Sequence, residues 1–387
     1  MPPLTFEIHH RSTTSAARVG CVTTPHGRFD TPAFMPVGTQ AAIKGLSPQA
    51  VASIGAQVIL ANTYHLMLRP GSELVAQMGG LHNWMRWPGP MLTDSGGYQV
   101  FSLADISTIN DDGVQFKSHL DGSTVDLTPQ RSMQVQNDLG ADIVMAFDDC
   151  PPAADDAARI RQACERSARW LDRCIKAHAR PADQALFGIV QGGTDLAQRT
   201  WCIEQVCSHD LPGFAIGGVA VGEGYEGLKK VVEHVGPMLP DDRPRYLMGV
   251  GYERDLVAAV RAGVDMFDCV LPTRNGRNAN AFTSTGQMRV RNASFARDDR
   301  PIEPGCDCPA CGGRFGRSYL RHLFAAGEML GPILVSAHNL RHFQRFMLDI
   351  RKTIADNDWP GLTRRWPVLE DQVPANDCQG PANAPRP

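Results

Sequence analysis

Short apolar runs recur along the chain, each bounded by glycine, proline or polar residues. The runs are apolar throughout rather than alternating, which is typical of strands buried on both faces of a parallel sheet. Helical patterns lie between several of them: Ser47-Pro48 and Thr128-Pro129 each supply an N-cap and a first-turn proline, and residues 252–262 carry apolar positions at helical spacing. The eight runs occupy residues 33–37, 57–60, 91–93, 143–147, 186–190, 214–216, 246–248 and 266–270. Eight such strands with helices between them predict an α/β protein built as a (β/α)₈ TIM barrel.

A doubly wound open sheet is the alternative to the barrel. That fold normally carries a G-x-G-x-x-G phosphate loop after its first strand, and no such motif follows residues 33–37. The length of 387 residues suits one barrel with insertions. A hydrophobic fraction of 43%, a charged fraction of 20% and a mean hydropathy of −0.23 exclude a disordered chain and one embedded in a membrane.

The segment between the third and fourth runs is too long for one crossover helix. Two alternating stretches around Asp121-Gly122, within residues 114–127, predict a β-hairpin there. Because this insertion follows a strand, we expect it on the face of the barrel that carries the chemistry.

A compact cysteine cluster, Cys306-x-Cys308-x-x-Cys311, is followed by 26 residues and then His338. Three sulfur ligands and one imidazole suit a tetrahedral Zn²⁺, whereas an iron–sulfur cluster would need a fourth cysteine nearby. Four protein ligands leave no open position, so the metal would be structural. His338 is the preferred fourth ligand because it follows an apolar run, but His322 and His342 are also within reach of the cluster.

The remaining organisation follows from these signals. The eleven cysteines and an N-terminus without a basic region followed by an apolar run predict reduced thiols or metal ligands, and a cytoplasmic location. A helical stretch runs from about residue 339 to 356. We predict a barrel over residues 1–295, a zinc-binding subdomain over 296–340, a helix packing on the barrel within 341–370, and a disordered Pro/Ala/Asn-rich tail over 371–387.

Acidic residues end three of the predicted strands, at Asp94, Asp148 and Asp268. Strand ends converge at one mouth of a barrel, and carboxylates there are costly to desolvate unless they are paired, metal-bound or catalytic. Each alone could be an N-cap of the next helix. Together they resemble the paired carboxylates that break bonds at an anomeric carbon. Metal-dependent hydrolysis competes, but of the twelve histidines only His65 and His119 lie at plausible mouth positions.

Positive charge is concentrated in one region of a chain whose net charge is −3. Residues 271–322 contain nine arginines and four acidic residues, a local charge of +5, and the rest of the chain carries −8. This segment is either a solvated surface patch or a nucleic-acid contact.

The chain closely resembles the bacterial tRNA-guanine transglycosylases, also called queuine tRNA-ribosyltransferases, from about residue 31 to 338. The resemblance is carried by residues 31–38 (TPAFMPVG), 61–71 (ANTYHLMLRPG), 92–99 (LTDSGGYQ), 116–122 (FKSHLDG), 248–251 (MGVG), 266–274 (MFDCVLPTR) and the zinc cluster. It implies a zinc-containing barrel, usually a homodimer, with one structural Zn²⁺ per subunit.

Such enzymes replace the guanine at wobble position 34 of GUN-anticodon tRNAs (for aspartate, asparagine, histidine and tyrosine) with 7-aminomethyl-7-deazaguanine (preQ1), a step of queuosine biosynthesis. Archaeal relatives modify a D-arm guanine and usually carry an additional C-terminal RNA-binding region, which the short segment after the zinc cluster does not match. A non-catalytic partner subunit would lose the catalytic acids, yet Asp94 and Asp268 are both present.

The resemblance also implies roles for individual residues. Asp268 would be the nucleophile that attacks C1′ of the ribose, and Asp94 would donate and accept protons on the departing and incoming bases. The base pocket would comprise Ser95, Gly96, Gly97, Tyr98, Asp148, Cys150, Gln191, Gly217, Gly218, Val219 and Met248. RNA would contact Gly249, Val250, Gly251, Tyr252, Glu253, Arg254, Asp255, Thr273, Arg274, Asn275, Gly276 and Arg277. The metal ligands would be Cys306, Cys308, Cys311 and His338.

Base selectivity is expected to depend on Cys150 and Val221, which match the bacterial pattern. Val221 would occlude the cyclopentenediol ring of queuine, whereas the bare aminomethyl group of preQ1 would fit. Glu223 lies where the family tunes its response to that substituent. Val219 stands where bacterial relatives typically have leucine, Asp149 replaces a common glutamate, and the spacer before His338 is one residue longer than in the family pattern.

Overall fold

A computed structural model describes residues 2–99, 107–152 and 155–370 of the chain. Eight parallel strands close into a barrel in chain order, and each predicted run contributes one of them. An antiparallel sheet of three strands, β1 (Thr5–Arg11), β2 (Arg18–Thr24) and β3 (Gly27–Thr31), precedes them. The barrel strands are β4 (Ala33–Gly38), β5 (Ile59–Ala61), β6 (Met91–Thr93), β10 (Ile143–Met145), β11 (Ala185–Val190), β12 (Gly213–Ile216), β13 (Arg245–Leu247) and β14 (Met266–Cys269). The predicted barrel is confirmed.

Burial on both strand faces explains why the runs lack alternation. In β11, Phe187 and Ile189 join a cluster inside the barrel, whereas Leu186 and Val190 join the cluster that faces the surrounding helices. Val22 and Phe29 of the N-terminal sheet belong to the inner cluster. That sheet therefore closes one end of the barrel, so ligands reach the interior from the other end.

The helices begin where local capping chemistry allows. Ser47 Oγ accepts from the Ala50 amide at 3.1 Å, and Thr128 Oγ1 accepts from the Arg131 amide at 3.1 Å, so both predicted N-caps are confirmed. The barrel helices and their neighbours are α1 (Pro48–Ser53), α2 (Thr63–Leu68), α3 (Ser72–Gln77), α4 (Gly80–Met85), α5 (Pro129–Leu139), α6 (Ala157–Ala177), α7 (Leu196–Cys207), α8 (Gly224–Met238), α9 (Glu253–Arg261) and α10 (Leu271–Arg277).

The predicted hairpin forms between β8 (Val114–Lys117) and β9 (Thr124–Leu127), which pair antiparallel. Gly122 in its turn has a φ of +74°, a conformation that glycine adopts without a steric cost. A third strand, β7 (Ser107–Ile109), pairs with β8 and was not predicted.

The cysteine cluster lies in a small subdomain after the barrel. The elements that follow α10 are β15 (Asn280–Thr283), β16 (Gly286–Arg289), 3₁₀ turns at Ala293–Phe295 and Pro367–Leu369, α11 (Pro309–Gly312), α12 (Arg317–Ala326), α13 (Leu330–Asp356) and α14 (Trp359–Arg365). Helix α14 and the later part of α13 pack on the barrel, since Leu362 and Ile350 join the cluster that faces the surrounding helices. Helix α13 begins at Leu330, earlier than the predicted residue 339. Gly331 and Pro332 lie in its first turn, where proline is tolerated, so they do not end the helix. The division into domains stays a prediction, and the expected tail over 371–387 lies outside the described residues. None of the described helices has the length and hydrophobicity needed to cross a membrane.

Candidate active site

A cavity of about 220 Å³ opens at the carboxyl ends of the barrel strands. A larger groove of about 700 Å³ lies at the opposite end, beside β1, but barrel enzymes place their chemistry at the carboxyl ends. The predicted residues that line the smaller cavity are Asp94, Ser95, Tyr98, Asp148, Cys150, Gly217, Gly218, Val219, Val221, Met248, Gly249 and Asp268. Residues from five separate strand ends therefore meet at one site.

Asp268 lies on β14, and two donors hold its side chain. Tyr246 donates from its hydroxyl at 2.6 Å and Gly249 donates from its amide at 2.8 Å. Both bonds go to Oδ1, so they orient the carboxylate while leaving Oδ2 for other contacts. Burial raises the pKa of Asp268, and the Tyr246 and Gly249 bonds oppose that rise by stabilising the ionised form.

Asp94 follows β6 and is enclosed by the start of α2. The Thr63 amide donates to its Oδ1 at 2.8 Å, while the side-chain amides of Gln99, at 2.8 Å, and Asn62 donate to its Oδ2. Burial raises the pKa of Asp94 to about 6, and the nearby charge of Asp268 adds to the rise. A carboxyl group poised near neutral pH can both donate and accept a proton.

Asp148, at the end of the β10 segment, is the third acid of the cavity. Ser95 Oγ donates to its Oδ1 at 3.0 Å and Gln191 Nε2 donates to its Oδ2 at 2.7 Å. Burial raises the pKa of Asp148 to about 6. Gly97 packs directly against Asp148. A Cβ at position 97 would lie 2.7 Å from the Asp148 carbonyl oxygen, so this position requires glycine. Gln191 and Gly97 thus support the acid from just behind the cavity wall.

The loop after β12 forms another wall, and Glu223 holds its shape. Its carboxylate accepts from the amides of Ala220 and, at 3.0 Å, of Val221. Ala220 has a φ of +59°, a left-handed conformation that these bonds stabilise. Val219 and Val221 both face the cavity, so this loop sets its size. Cys150 lies nearby as a neutral thiol, because burial raises its pKa to about 12.

The histidines that would support metal-dependent hydrolysis lie elsewhere at the mouth. His119 Nδ1 lies 3.0 Å from the Tyr64 hydroxyl, and His65 packs edge-on against both rings. Within residues 2–99, 107–152 and 155–370, neither groups with the three acids closely enough to share an ion. The geometry therefore favours chemistry by the carboxyl groups themselves over metal-dependent hydrolysis.

The subdomain brings the three predicted cysteines to His338. Its Nδ1 lies 3.7, 3.4 and 3.5 Å from the sulfur atoms of Cys306, Cys308 and Cys311. Tetrahedral zinc bonds of about 2.3 Å to sulfur and about 2.0 Å to nitrogen would put these atoms about 3.5 Å apart. His338 Nε2 donates to the Phe282 carbonyl at 2.8 Å, which leaves Nδ1 to bind metal. This buried group could hold a metal ion, and its donor set and spacing fit zinc.

The other two candidate ligands have different partners. His342 Nε2 lies 2.6 Å from Glu253, and His322 stacks on Tyr319. The geometry therefore selects His338 from the three histidines that the sequence left open.

A second cluster, His26, His82 and Asp142, lies at the opposite end of the barrel. Both imidazoles bond to Asp142, but their rings stack 3.6 Å apart at an interplanar angle of 9°. Imidazole binds a metal through a lone pair in the ring plane, so one ion cannot serve two parallel planes at this spacing. The cluster is therefore best explained as hydrogen bonding that stabilises the start of β10.

Known proteins with similar sequences show to which family the chain belongs. A family model described as Queuine tRNA-ribosyltransferase matches residues 12–368. The chain belongs to this family. Proteins with the same description from Symbiobacterium thermophilum and Thermus thermophilus are each 52% identical to it, over 99% and 95% of the chain and 97% and 94% of their own lengths. One from Staphylococcus haemolyticus is 48% identical over 92% of the chain and 94% of its own length.

The residues that the family resemblance assigns to RNA binding divide into two kinds in this family member. Glu253 is buried against His342, Thr273 is buried, and Gly276 packs so tightly on Ser336 of α13 that a Cβ would lie 2.7 Å from it. Arg274 is exposed, and Arg254 stacks its guanidinium 3.9 Å from the ring centre of Tyr225. The buried residues shape the surface, whereas arginines such as Arg274 can reach a phosphate.

Four supporting residues of this family member escaped sequence reasoning: Asn62, Thr63, Tyr246 and Arg199. Asn62 and Thr63 directly follow β5, so the rule that strand ends carry function could have marked them. Tyr246 was read as part of an apolar strand, and nothing in the sequence marks its hydroxyl as a partner of Asp268. Arg199 lies in an ordinary helical pattern, and only the fold shows that it is buried.

Proposed function

We propose that this chain exchanges guanine 34 of GUN-anticodon tRNAs for preQ1 by double displacement. The observation that carries the proposal is the meeting of Asp268 and Asp94 at one cavity, each with its carboxylate oriented by hydrogen-bond donors. Membership of the queuine tRNA-ribosyltransferase family supports the same reaction.

In the first step, a carboxylate oxygen of Asp268 forms a bond to C1′ of the ribose while the bond from C1′ to N9 of guanine breaks. The departing guanine takes the bonding electrons, and Asp94 supplies the proton that neutralises it. The products of this step are free guanine and a ribosyl ester that links the tRNA to Asp268.

In the second step, Asp94 removes the proton from N9 of preQ1. N9 then attacks C1′, and Asp268 leaves as the carboxylate. Two inversions at C1′ retain its configuration, and the ester conserves the bond energy, so no nucleotide cofactor is required.

The cavity walls match the polar edge of a flipped-out guanine or preQ1. Asp148 would accept from N1–H and the 2-amino group, Gln191 and the Gly218 amide would contact the remaining polar edge, and Tyr98 would stack on the ring. One peptide group joins the carbonyl of Val219 to the N–H of Ala220. Because this N–H points to Glu223, the Val219 carbonyl points the opposite way. That carbonyl is placed to accept from the aminomethyl group of preQ1.

Guanine binding should depend on pH through Asp148. Only the ionised carboxylate accepts two hydrogen bonds, and the pKa of Asp148 is raised to about 6. We therefore expect constant affinity above about pH 7 and a loss approaching tenfold per pH unit below about pH 5.5, because one proton must leave before guanine binds. Calorimetric titration of guanine between pH 5 and 8 measures this.

Two variants separate the acids in that titration. Asp94→Asn should keep the pH dependence, whereas Asp148→Asn should bind guanine weakly at every pH. A pH dependence that survives in Asp148→Asn would show that another group controls binding.

Val221 should exclude queuine. A side chain that overpacks a rigid pocket typically costs about 1–3 kcal/mol, so we expect preQ1 to be used roughly tenfold to a hundredfold more efficiently than queuine. Val221→Gly should relax this preference. Incorporation of the two bases into the same tRNA measures it, and equal efficiency with the unaltered protein would refute the assignment of Val221.

We also propose that the Cys306, Cys308, Cys311 and His338 site holds one structural Zn²⁺ per subunit. Bound there, zinc would supply cross-linking of the subdomain rather than chemistry, because four protein ligands complete its coordination. The family resemblance further supports a cytoplasmic homodimer.

Exchange of radiolabelled guanine into an unmodified GUN-anticodon tRNA tests the proposed function. We expect incorporation that disappears when guanine 34 of the same transcript is replaced by adenine. Label in the D-arm would favour the archaeal type of reaction. Folded, metal-loaded protein that incorporates no label would favour a non-catalytic partner subunit.

A further inference from the structure

Arg199 lies on α7 directly behind the base pocket, and its side chain is fully buried. Its guanidinium donates to the backbone carbonyls of Val190 at 2.9 Å, Gly193 at 2.9 Å, Gly217 at 2.7 Å and Gly218 at 3.1 Å. Within the described ranges, no carboxylate lies within ion-pair distance of it. A buried cation whose hydrogen bonds all go to peptide carbonyls is unusual.

The four carbonyls belong to the ends of β11 and β12. The β12 end supplies the Gly217–Gly218 segment of the pocket, and the β11 end supplies Gln191, which supports Asp148 from behind the cavity wall. Arg199 therefore fixes the β12 wall of the cavity relative to the strand end that supports Asp148.

The bonds from Arg199 also determine where the amides point. In a trans peptide the carbonyl and the N–H point in opposite directions. Because the carbonyls of Gly217 and Gly218 face Arg199, the N–H groups of Gly218 and Val219 face away from it, on the side where both residues line the cavity.

The conformation that produces this arrangement requires glycine. Gly218 has a φ of +62°, and a Cβ there would lie 2.3 Å from Gln191 Oε1. Two neighbouring N–H groups that point to one side form a receptor for a carbonyl oxygen, and a positive charge behind them strengthens both donors.

We propose that Arg199 is a positioning residue that aims the Gly218 and Val219 amides at the 6-oxo group of the purine base. The proposal rests on the proposed function, because it takes the cavity to be the base site. It makes Arg199 a determinant of specificity for 6-oxopurines, although its side chain does not touch the base.

The test compares two bases, guanine and 2-aminopurine, which lacks the 6-oxo group and the N1–H; the loss of N1–H affects the wild type and the Arg199 variants alike, so the change in the ratio of affinities reports on the 6-oxo contact. We expect Arg199→Met to weaken guanine binding, measured by calorimetry, at least about tenfold more than it weakens 2-aminopurine binding. The KM for guanine in exchange should rise by a similar factor, while kcat changes by less than about threefold. A merely structural role would weaken both bases equally.

Arg245 provides a matched control at the other end of the barrel. It is also buried and donates to the carbonyls of Leu239, at 2.7 Å, and Gly263, at 3.3 Å. Arg245→Met should lower thermal stability without changing the ratio of the two affinities. Arg199→Lys keeps the charge but replaces three nitrogen donors by one, so it cannot make all four bonds, and we expect an intermediate loss of selectivity. It also serves as the test variant if Arg199→Met does not fold.

The outcomes separate this proposal from the proposed function. Wild-type protein that does not bind guanine would contradict the base site itself. Wild-type protein that binds guanine, together with an unchanged ratio in folded Arg199 variants, would overturn only the role of Arg199.

Discussion

Asp268→Asn is expected to abolish base exchange while tRNA binding is retained. The amide keeps the shape of the carboxylate and can still bond to its neighbours, but it is too weak a nucleophile to attack C1′. We expect the exchange rate to fall by at least about a thousandfold, with a dissociation constant for tRNA within about threefold of the wild-type value. Initial rates of guanine exchange and a filter-binding titration measure the two quantities.

Asp172→Asn makes the same chemical change on α6, where Asp172 is exposed and, among the residues that the structure describes, pairs with His209 alone. This control should exchange guanine at the wild-type rate. Substantial exchange by Asp268→Asn would mean that another group is the nucleophile, and Asp94 would be the first to examine.

Cys308→Ala is expected to remove the metal and unfold the subdomain. The three thiols belong to its small hydrophobic core, together with residues such as Leu320 and Val335. Metal binding in small zinc modules contributes on the order of 10 kcal/mol, far more than so small a core supplies alone. Elemental analysis should find about one zinc per wild-type chain and almost none in the variant, and limited proteolysis should cut within the subdomain.

Cys207→Ala is the matched control because Cys207 lies on α7, away from the cluster. It should keep its full zinc content and its protease resistance. Full zinc content in Cys308→Ala would exclude Cys308 as a ligand.

The barrel could be predicted because its strands are buried on both faces, which leaves continuous apolar runs in the sequence. The first strand of the N-terminal sheet left no such signal: every residue of β1 (Thr5–Arg11) is exposed or partly exposed, so they form no apolar run. Helix α13 was predicted too short for a different reason. Its first turn contains glycine and proline, which normally mark a helix end.

Residue type and position in the sequence were enough to identify the three acids and the zinc cluster. The residues that hold these groups in place could not be identified in this way. Asp94 follows an apolar strand, which singles it out, but Asn62 and Thr63 reach it only because β5 and β6 are neighbours. Arg199 is the clearest example, because the carbonyls to which it donates come together only where the ends of β11 and β12 meet. Sequence therefore indicates which groups react, and the closed barrel decides what holds them in place.

The most direct test of the double-displacement account is to map the covalent link between protein and RNA. Wild-type protein should be incubated with a GUN-anticodon tRNA, denatured, and digested with nuclease and protease for mass spectrometry. The account predicts a ribose-bearing fragment on the peptide that contains Asp268, and its disappearance when excess preQ1 is added before denaturation. Attachment at Asp94 or at any other residue, or complete exchange with no covalent species, would contradict it.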